Sequence, residues 1–278
     1  MLTKKQLQFI NSLKQKKFRE EYHLFIAEGP KMVVELLKSE IEVEQLFATT
    51  EFLNKVLPDK RITYTEVNNK ELERLSAQVT PNEVLAVCKI PDYVFNKSEL
   101  KGKLTLLLDT IKDPGNMGTI IRIADWFGIE TIICSRESAD AYNPKVVQST
   151  MGSIARIKLH YMNLMDFFNE LKDEPLLNKG FPVFGALLEG ENIYTKGLTT
   201  EGFIVIGNES KGISDSILPY ITERISIPSF SHYRPEKGEA ESLNAAIAAA
   251  IICSEFRRKT AHNALRLTST PLSTGRSG

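Results

Sequence analysis

The chain has 278 residues, 42% of them apolar, with 35 basic and 35 acidic side chains and a formal net charge of zero. That length suits two domains with sizeable cores. No apolar run approaches the length that spans a bilayer, and the start MLTKKQLQFINSLKQ lacks the apolar stretch of a secretory leader, so the expected location is cytoplasmic.

Cysteine and histidine usage points away from metals. Cys88, Cys134 and Cys253 lie far apart, each in an apolar run (LAVCKI, TIICS, AIICSEF). No CxxC pair exists, so buried reduced thiols are expected rather than a zinc site. His23, His160, His232 and His262 form no HExxH or similar ligand pair.

In chain order, KKQLQFINSLKQKKF carries Leu7, Ile10, Leu13 and Phe18 at helical spacing, which predicts a helix. The same stretch holds Lys14, Lys16, Lys17 and Arg19. Residues 1–21 contain six Lys/Arg and two Glu; residues 257–278 contain five Lys/Arg and no acid. Such basic ends either dock on phosphate backbones or form a solvated helix face and a tail. PKMVVELLK places Pro30 in a helix's first turn. VEQLFAT and VLAVCKI predict short buried strands. A polar connection, PDYVFNKSELKGK, runs from 91 to 103. The expected division is therefore 1–98, 99–258 and a disordered Ser/Thr/Gly-rich tail at 259–278.

From 104 the pattern alternates. LTLLLD, ETIICS, IARIKLH, FPVFGALL, GFIVIGN and RISIP predict strands; NMGTIIRIADWFG, NPKVVQSTM, MDFFNELK and ESLNAAIAAAIICSEFRRK predict helices. Near-continuous apolar strands separated by helices imply a mostly parallel sheet covered on both faces, hence an α/β fold.

Sites in such sheets gather beyond the carboxyl ends of the strands, and three loops there are unusual. DTIKDPGNMGTIIR makes a Pro114-Gly115 turn, offers Asn116 as a cap, and projects Arg122 from the face opposite a stripe of Ile120, Ile123, Ala124 and Phe127. Gly118, one turn before Arg122, is expected to leave open space beside the guanidinium. On residues alone the loop reads equally as a capped helix with one solvated arginine. GxGxxG and GK[ST] are absent, which disfavours a nicotinamide or ATP enzyme. FIVIGNESKGIS ends a strand in Gly207-Asn208-Glu209, an ordinary turn or a place where backbone approaches a ligand. RISIPSF followed by ESLNAAIAAAII offers Ser242 as a helix cap, and no serine lies in GxSxG.

Together, DPGNMGTIIRIADWFGI, FIVIGNESKGIS, and ISIP followed by ESLNAAIAAAI resemble, in order and in strand context, motifs 1, 2 and 3 of the SpoU (TrmH) family of RNA ribose 2′-O-methyltransferases. The resemblance covers roughly residues 104–257, and NPKVVQSTMGSIARI is similar to the family's intervening segment. KKFREEYHLFIAEGPKMVVELL, with TPNEVLAV, is similar to the L30e-like substrate-binding domain fused to many members.

The resemblance implies a catalytic domain closed by a deep trefoil knot, a topology otherwise almost absent from proteins. It further implies S-adenosyl-L-methionine as cofactor, a homodimer through the knotted domain, and methyl transfer to a ribose 2′-hydroxyl in RNA, with rRNA favoured over tRNA; the residues themselves point to no membrane or metal. Asn116 and Arg122 match the catalytic pair of motif 1, Glu209 the acid of motif 2, and Ser242 and Asn244 the polar pair of motif 3. Gly207, Ile227 and Leu243 match cofactor-pocket positions. Lys14, Lys16, Lys17 and Arg19 would supply RNA affinity. The same chemistry on tRNA, a non-catalytic RNA-binding assembly factor, and another nucleophile within the knotted superfamily are the alternatives. The chain departs from the pattern in the 13 residues SFSHYRPEKGEAE between Pro228 and Ser242, where relatives have a shorter loop; His232, Tyr233, Arg234 and Lys237 there suit RNA contact or a neutral insertion.

Overall fold

The computed structural model describes residues 2–56, 62–172, 174, 180–230 and 242–268, with side chains as far as Arg258. Most of the insertion, including His232, Tyr233, Arg234 and Lys237, lies outside the described residues.

The predicted N-terminal helix is two helices, α1 (Lys4–Ser12) and α2 (Lys16–Tyr22). Thr3 and Gln6 close α1 at its start with a reciprocal capping box. The chain breaks at Leu13 because Leu13 N bonds back to Ile10 O, and the Leu13 carbonyl is taken by the Arg19 guanidinium at 2.9 Å. Strands β1 (Leu24–Glu28), β2 (Val43–Ala48), β3 (Thr63–Glu66) and β4 (Val84–Lys89) form a sheet in the order β1-β4-β2-β3. β4 pairs antiparallel with β1 and β2, and β2 pairs parallel with β3. Helix α3 (Pro30–Leu37) opens on Pro30 as predicted; α4 (Thr50–Lys55) and α5 (Asn69–Leu75) follow β2 and β3.

The second sheet begins after the connection. It contains β5 (Leu104–Leu108), β6 (Thr131–Ser135), β7 (Lys158–Met162), β8 (Val183–Asn192), β9 (Gly202–Ile206) and β10 (Glu223–Ser226), in the order β10-β8-β9-β5-β6-β7. Every neighbouring pair is parallel. All five residues of β5 and of β9 are buried, as central parallel strands require. Helices α6 (Pro114–Trp126), α7 (Pro144–Thr150), α8 (Leu164–Lys172) and α9 (Ala245–Thr268) cover the sheet. Because α9 continues to Thr268, the expectation of disorder from 259 is corrected for ten residues; 259–268 holds two Ala and two Leu, which favour helix.

One apolar cluster spans both sheets, and each sheet also buries a separate cluster of its own. Phe25, Ala27, Val33 and Ala86 cluster with Leu106, Ile120, Val146 and Phe184, and the Phe25 and Tyr142 rings lie 5.0 Å apart. Each Val, Leu, Ile or Phe side chain fully buried there stabilises the fold by roughly 1.5–3 kcal/mol. Polar ties reinforce the join: Arg156 bridges Glu35 and Asp125 at 2.8 Å each, and Gln78 donates to Gln148 at 2.9 Å.

Candidate active site

Parallel pairing puts the carboxyl ends of all six strands on one edge, where the three motif loops meet. The first loop leaves β5 through Asp109, which is only 4% exposed. Its Oδ2 accepts both the backbone N–H and the hydroxyl of Ser214 at 2.7 Å. Thr110 then takes a left-handed conformation, φ 62°, and its carbonyl accepts Asn208 Nδ2 at 2.9 Å. Ser135 and Ser138, both buried, bind the N–H groups of Thr110 and Ile111. The loop is thus held by β6 and β9 before α6 begins.

Asp113, not Asn116, caps α6: its carboxylate accepts Asn116 N at 2.8 Å, and Pro114 occupies the first turn. An aspartate cap is further stabilised by the helix dipole. Asn116 is released for another task. Its Nδ2 donates to Glu209 Oε1 at 2.7 Å, and its Oδ1 accepts Asn244 Nδ2 at 2.9 Å.

Glu209 sits in a tight turn after β9. Asn208 and Gly212 exchange backbone hydrogen bonds at 2.9 Å, with Gly212 at φ 69°. Gly207 is required here, since a Cβ would come within 2.3 Å of the Gly212 carbonyl carbon. Asn208 Oδ1 accepts from Ser210 N and Lys211 N, while its Nδ2 also reaches Glu209 Oε2 at 3.3 Å. Asn244, not Ser242, caps α9: its Oδ1 accepts Ala246 N and Ile247 N at 3.0 and 3.2 Å. Ser242 is exposed and makes no hydrogen bond to another described residue.

The structure therefore joins Asn116, Glu209 and Asn244 in one hydrogen-bonded cluster. Arg122 stands apart, exposed and without a hydrogen bond or ion pair to the described residues. It lies six positions after Asn116, about 9 Å along the axis and about 120° around it. Gly118 does not clear space for it. A Cβ there would lie 2.4 Å from Ser149 Cβ and 2.7 Å from the Val146 carbonyl, so this glycine lets α7 pack directly on α6.

The expected cofactor positions converge on the same edge. Gly207 is two residues before Glu209, Ile227 follows β10 and is half-buried against the core, and Leu243 precedes Asn244 with 47% of its surface exposed. An apolar side chain so exposed beside a polar cluster suits a ligand with both apolar and polar surface.

The basic residues of the N-terminal region separate. Arg19 is 2% exposed, and its Nε and Nη2 donate to Asp140 Oδ2 at 3.0 and 2.5 Å. The expectation that Arg19 meets RNA is thus corrected: its charge is spent inside the protein, docking α2 on the loop after β6. Lys14 donates to the Ser76 carbonyl at 2.6 Å, and partial burial pulls its ammonium below the usual lysine value against the opposing pull of Glu28. Lys16 and Lys17 are exposed; Lys16 pairs loosely with Glu20 at 3.6 Å. The loop after β6 is also held by Tyr161, whose hydroxyl donates to Ala139 O at 2.6 Å and accepts Ala141 N. Burial of its hydroxyl end raises that phenol's pKa, although the residue as a whole is 36% exposed.

Asp109, Asn208 and Ser214 escaped the sequence reading. Asn208 was visible inside the second motif loop, but its role depends on contact with Thr110, 98 positions away.

A model described as the SpoU rRNA methylase family matches residues 103–254, and one described as an MRM3-like substrate binding domain matches residues 4–86. The chain is 30% identical over 243 residues to the 23S rRNA (guanosine(2553)-2′-O)-methyltransferase RlmP of Bacillus subtilis, spanning 87% of this chain and 92% of that protein. Among solved structures, a TrmH-family protein from Porphyromonas gingivalis is 37% identical with a TM-score of 0.80, covering 93% of this chain and 99% of that one. The AdoMet-bound rRNA methyltransferase from Sinorhizobium meliloti is 28% identical with a TM-score of 0.77, covering 93% and 96%. With an all-parallel sheet, three motif loops meeting at its carboxyl edge and these matches over both parts, the chain belongs to the SpoU rRNA methylase family.

Proposed function

We propose that the chain is an S-adenosyl-L-methionine-dependent RNA ribose 2′-O-methyltransferase whose substrate is 23S rRNA, working in the cytoplasm as a homodimer. The observation that carries this reading is the Asn116–Glu209–Asn244 cluster at the carboxyl edge of the parallel sheet, in a member of the SpoU family. The likeness to RlmP across 87% of the chain supports rRNA over tRNA. Trp126 (83% exposed) on α6 and Ile247 (53%) on α9, two helices packed against each other, offer apolar surface to a second copy. The C-terminal segment is read as threaded into the family's knot.

Gly207, Ile227 and Leu243 would hold the cofactor, which supplies an electrophilic methyl group on a sulfonium. The chain's own residues must align a hydroxyl oxygen with that carbon and let its proton leave. Asn116 is suited to alignment. Its amide is fixed on both sides, by Glu209 and by Asn244, so its remaining N–H points in one direction without rotamer loss. Glu209 is itself fixed by Asn208. An arginine guanidinium stays protonated across the working pH range, so Arg122 serves as a donor rather than a base. It clamps the neighbouring phosphate bidentately and stabilises the charge that develops on the ribose oxygen. The proton leaves late, through the exposed Ser242 hydroxyl or directly to water.

The test is methyl transfer from radiolabelled S-adenosyl-L-methionine into separated 23S rRNA, 16S rRNA and tRNA, with Arg122→Ala in parallel. Label in 23S rRNA that depends on Arg122, with one site resistant to alkaline cleavage, is the expected result. Label confined to tRNA would replace the substrate. Cofactor-independent RNA binding with no label would favour a non-catalytic assembly factor.

A further inference from the structure

Cations of the second domain differ in whether a carboxylate neutralises them, and Lys196 after β8 is held by both Glu191 and Glu223 at 2.9 and 2.8 Å. Lys103 and Lys158, at the amino-terminal ends of β5 and β7, are neutralised by Glu130 and Glu99 at 2.7 and 2.8 Å. At the opposite edge, Lys211 follows β9, Lys112 follows β5 and Arg136 follows β6. All three are exposed, and none makes a side-chain hydrogen bond or ion pair with another described residue. β9, β5 and β6 are consecutive in the sheet, so their exits are spaced by roughly 4.8 Å per strand. Lys145, in the first turn of α7, is a fourth exposed cation of this kind. The next residue's carbonyl lies against Gly118 of α6, which sets Lys145 beside the turn that carries Asn116.

Four carboxylates beside these cations are already engaged within the protein. Asp109 is bound by Ser214, Asp113 by the start of α6, Glu209 by Asn116 and Asn208, and Asp140 by Arg19 and the Tyr142 N–H. Glu137, Asp166, Glu189 and Asp215 are exposed exceptions. The Arg19–Asp140 pair also brings α2 to this edge, with Lys16 one turn before Arg19 on the same helix. A row of unpaired, solvated cations beside the reacting cluster lacks only an extended polyanion.

We propose that Lys211, Lys112, Arg136 and Lys145 form a phosphate-binding edge, extended by Lys16 of the docked α2, along which the RNA substrate lies while its target ribose rests at Asn116. This rests on the reading of the chain as an RNA methyltransferase and names the residues that hold the strand. The contacts are to phosphate, so they supply affinity and register rather than base recognition. Gly118 and Arg19 serve the edge indirectly: one lets α7 approach α6, and the other fixes α2 against the loop that carries Arg136.

The experiment uses the full chain, a transcript of 23S rRNA, and salt titration of binding by fluorescence anisotropy, alongside methyl transfer. Variants are Lys112→Gln, Arg136→Gln, Lys145→Gln and Lys211→Gln, singly and combined, with Lys103→Gln and Lys158→Gln as opposite-edge controls. For a single-stranded segment the slope of log affinity against log salt falls by about 0.7 per phosphate contact removed. Each single variant should therefore weaken binding on the order of fivefold near 0.1 M salt, and the combined variant several hundredfold, with cofactor binding and melting temperature unchanged. The controls should match the wild type. A combined variant that binds and methylates as the wild type does, with the same salt slope, overturns the edge and leaves the methyltransferase reading intact. A wild type that neither binds nor methylates rRNA overturns both.

Discussion

Asn244 divides its side-chain amide between two duties: Oδ1 caps α9, and Nδ2 donates to Asn116 Oδ1 at 2.9 Å. Helix start and reacting cluster are therefore one structure, and substitutions can separate the two. Asn244→Asp keeps the capping oxygen but turns an acceptor toward Asn116. It should melt within about 2 °C of the wild type while methyl transfer falls on the order of 100-fold, the scale of losing one oriented donor. Asn244→Ala should lose the activity and about 1 kcal/mol of stability as well. Thermal melts paired with single-turnover methylation check both; equal melting of the two variants would refute the division.

Gly118 makes a prediction about packing rather than catalysis. With 2.4 Å to Ser149 Cβ and 2.7 Å to the Val146 carbonyl, an added methyl must push α7 off α6. Gly118→Ala should cost about 1–3 kcal/mol, lowering the melting temperature by several degrees. Ser149→Gly should restore only part of this, because the carbonyl clash remains. A Gly118→Ala protein as stable as the wild type would return the glycine to the role its sequence position suggests.

The Arg19–Asp140 pair joins the domains in a buried setting, with Arg19 2% exposed. Removing one partner of such a pair leaves an uncompensated charge and costs about 3–5 kcal/mol, whereas replacing both is far milder. Asp140→Asn should accordingly destabilise more than the Arg19→Met/Asp140→Asn double variant. Urea unfolding midpoints measure the difference; additive losses would contradict it.

His160 on β7 meets the rings of Phe95 and Tyr93 at 5.1 and 6.4 Å, docking the connection between the domains on the second sheet. Burial, reinforced by Lys158 and opposed by Glu99, holds its imidazole below the usual histidine value. The folded protein thus binds its proton less readily than the unfolded chain does. Stability from this group is full above the unfolded value of about 6.5 and declines as pH falls from there toward the folded pKa. Melting temperature should drop between pH 7 and pH 5.5 in the wild type, and drop less in His160→Phe. An imidazole titrating above 6.5 by NMR would reverse the sign.

Much of this protein follows from local pattern. The apolar runs LTLLL, TIICS and GFIVI determine buried parallel strands because a strand covered on both faces tolerates no polar alternation. An apolar stripe after the Pro114-Gly115 turn determines that a helix follows β5, and the three motif loops at strand exits determine where the site lies. Three-dimensional contacts decided the rest. Asn116 and Glu209 meet across 93 positions, and Asn116 and Asn244 across 128. No spacing rule operates over such distances, since only sheet order and the position of α9 set them. The cap of α6 passed from Asn116 to Asp113, and that of α9 from Ser242 to Asn244, because a cap is chosen by where the last non-helical residue falls. Arg19 and Lys17 are alike in sequence, two positions apart on one short helix. Whether such a charge faces RNA or an aspartate 121 residues away depends on which side of α2 the second domain covers, and that is a property of the packed fold alone.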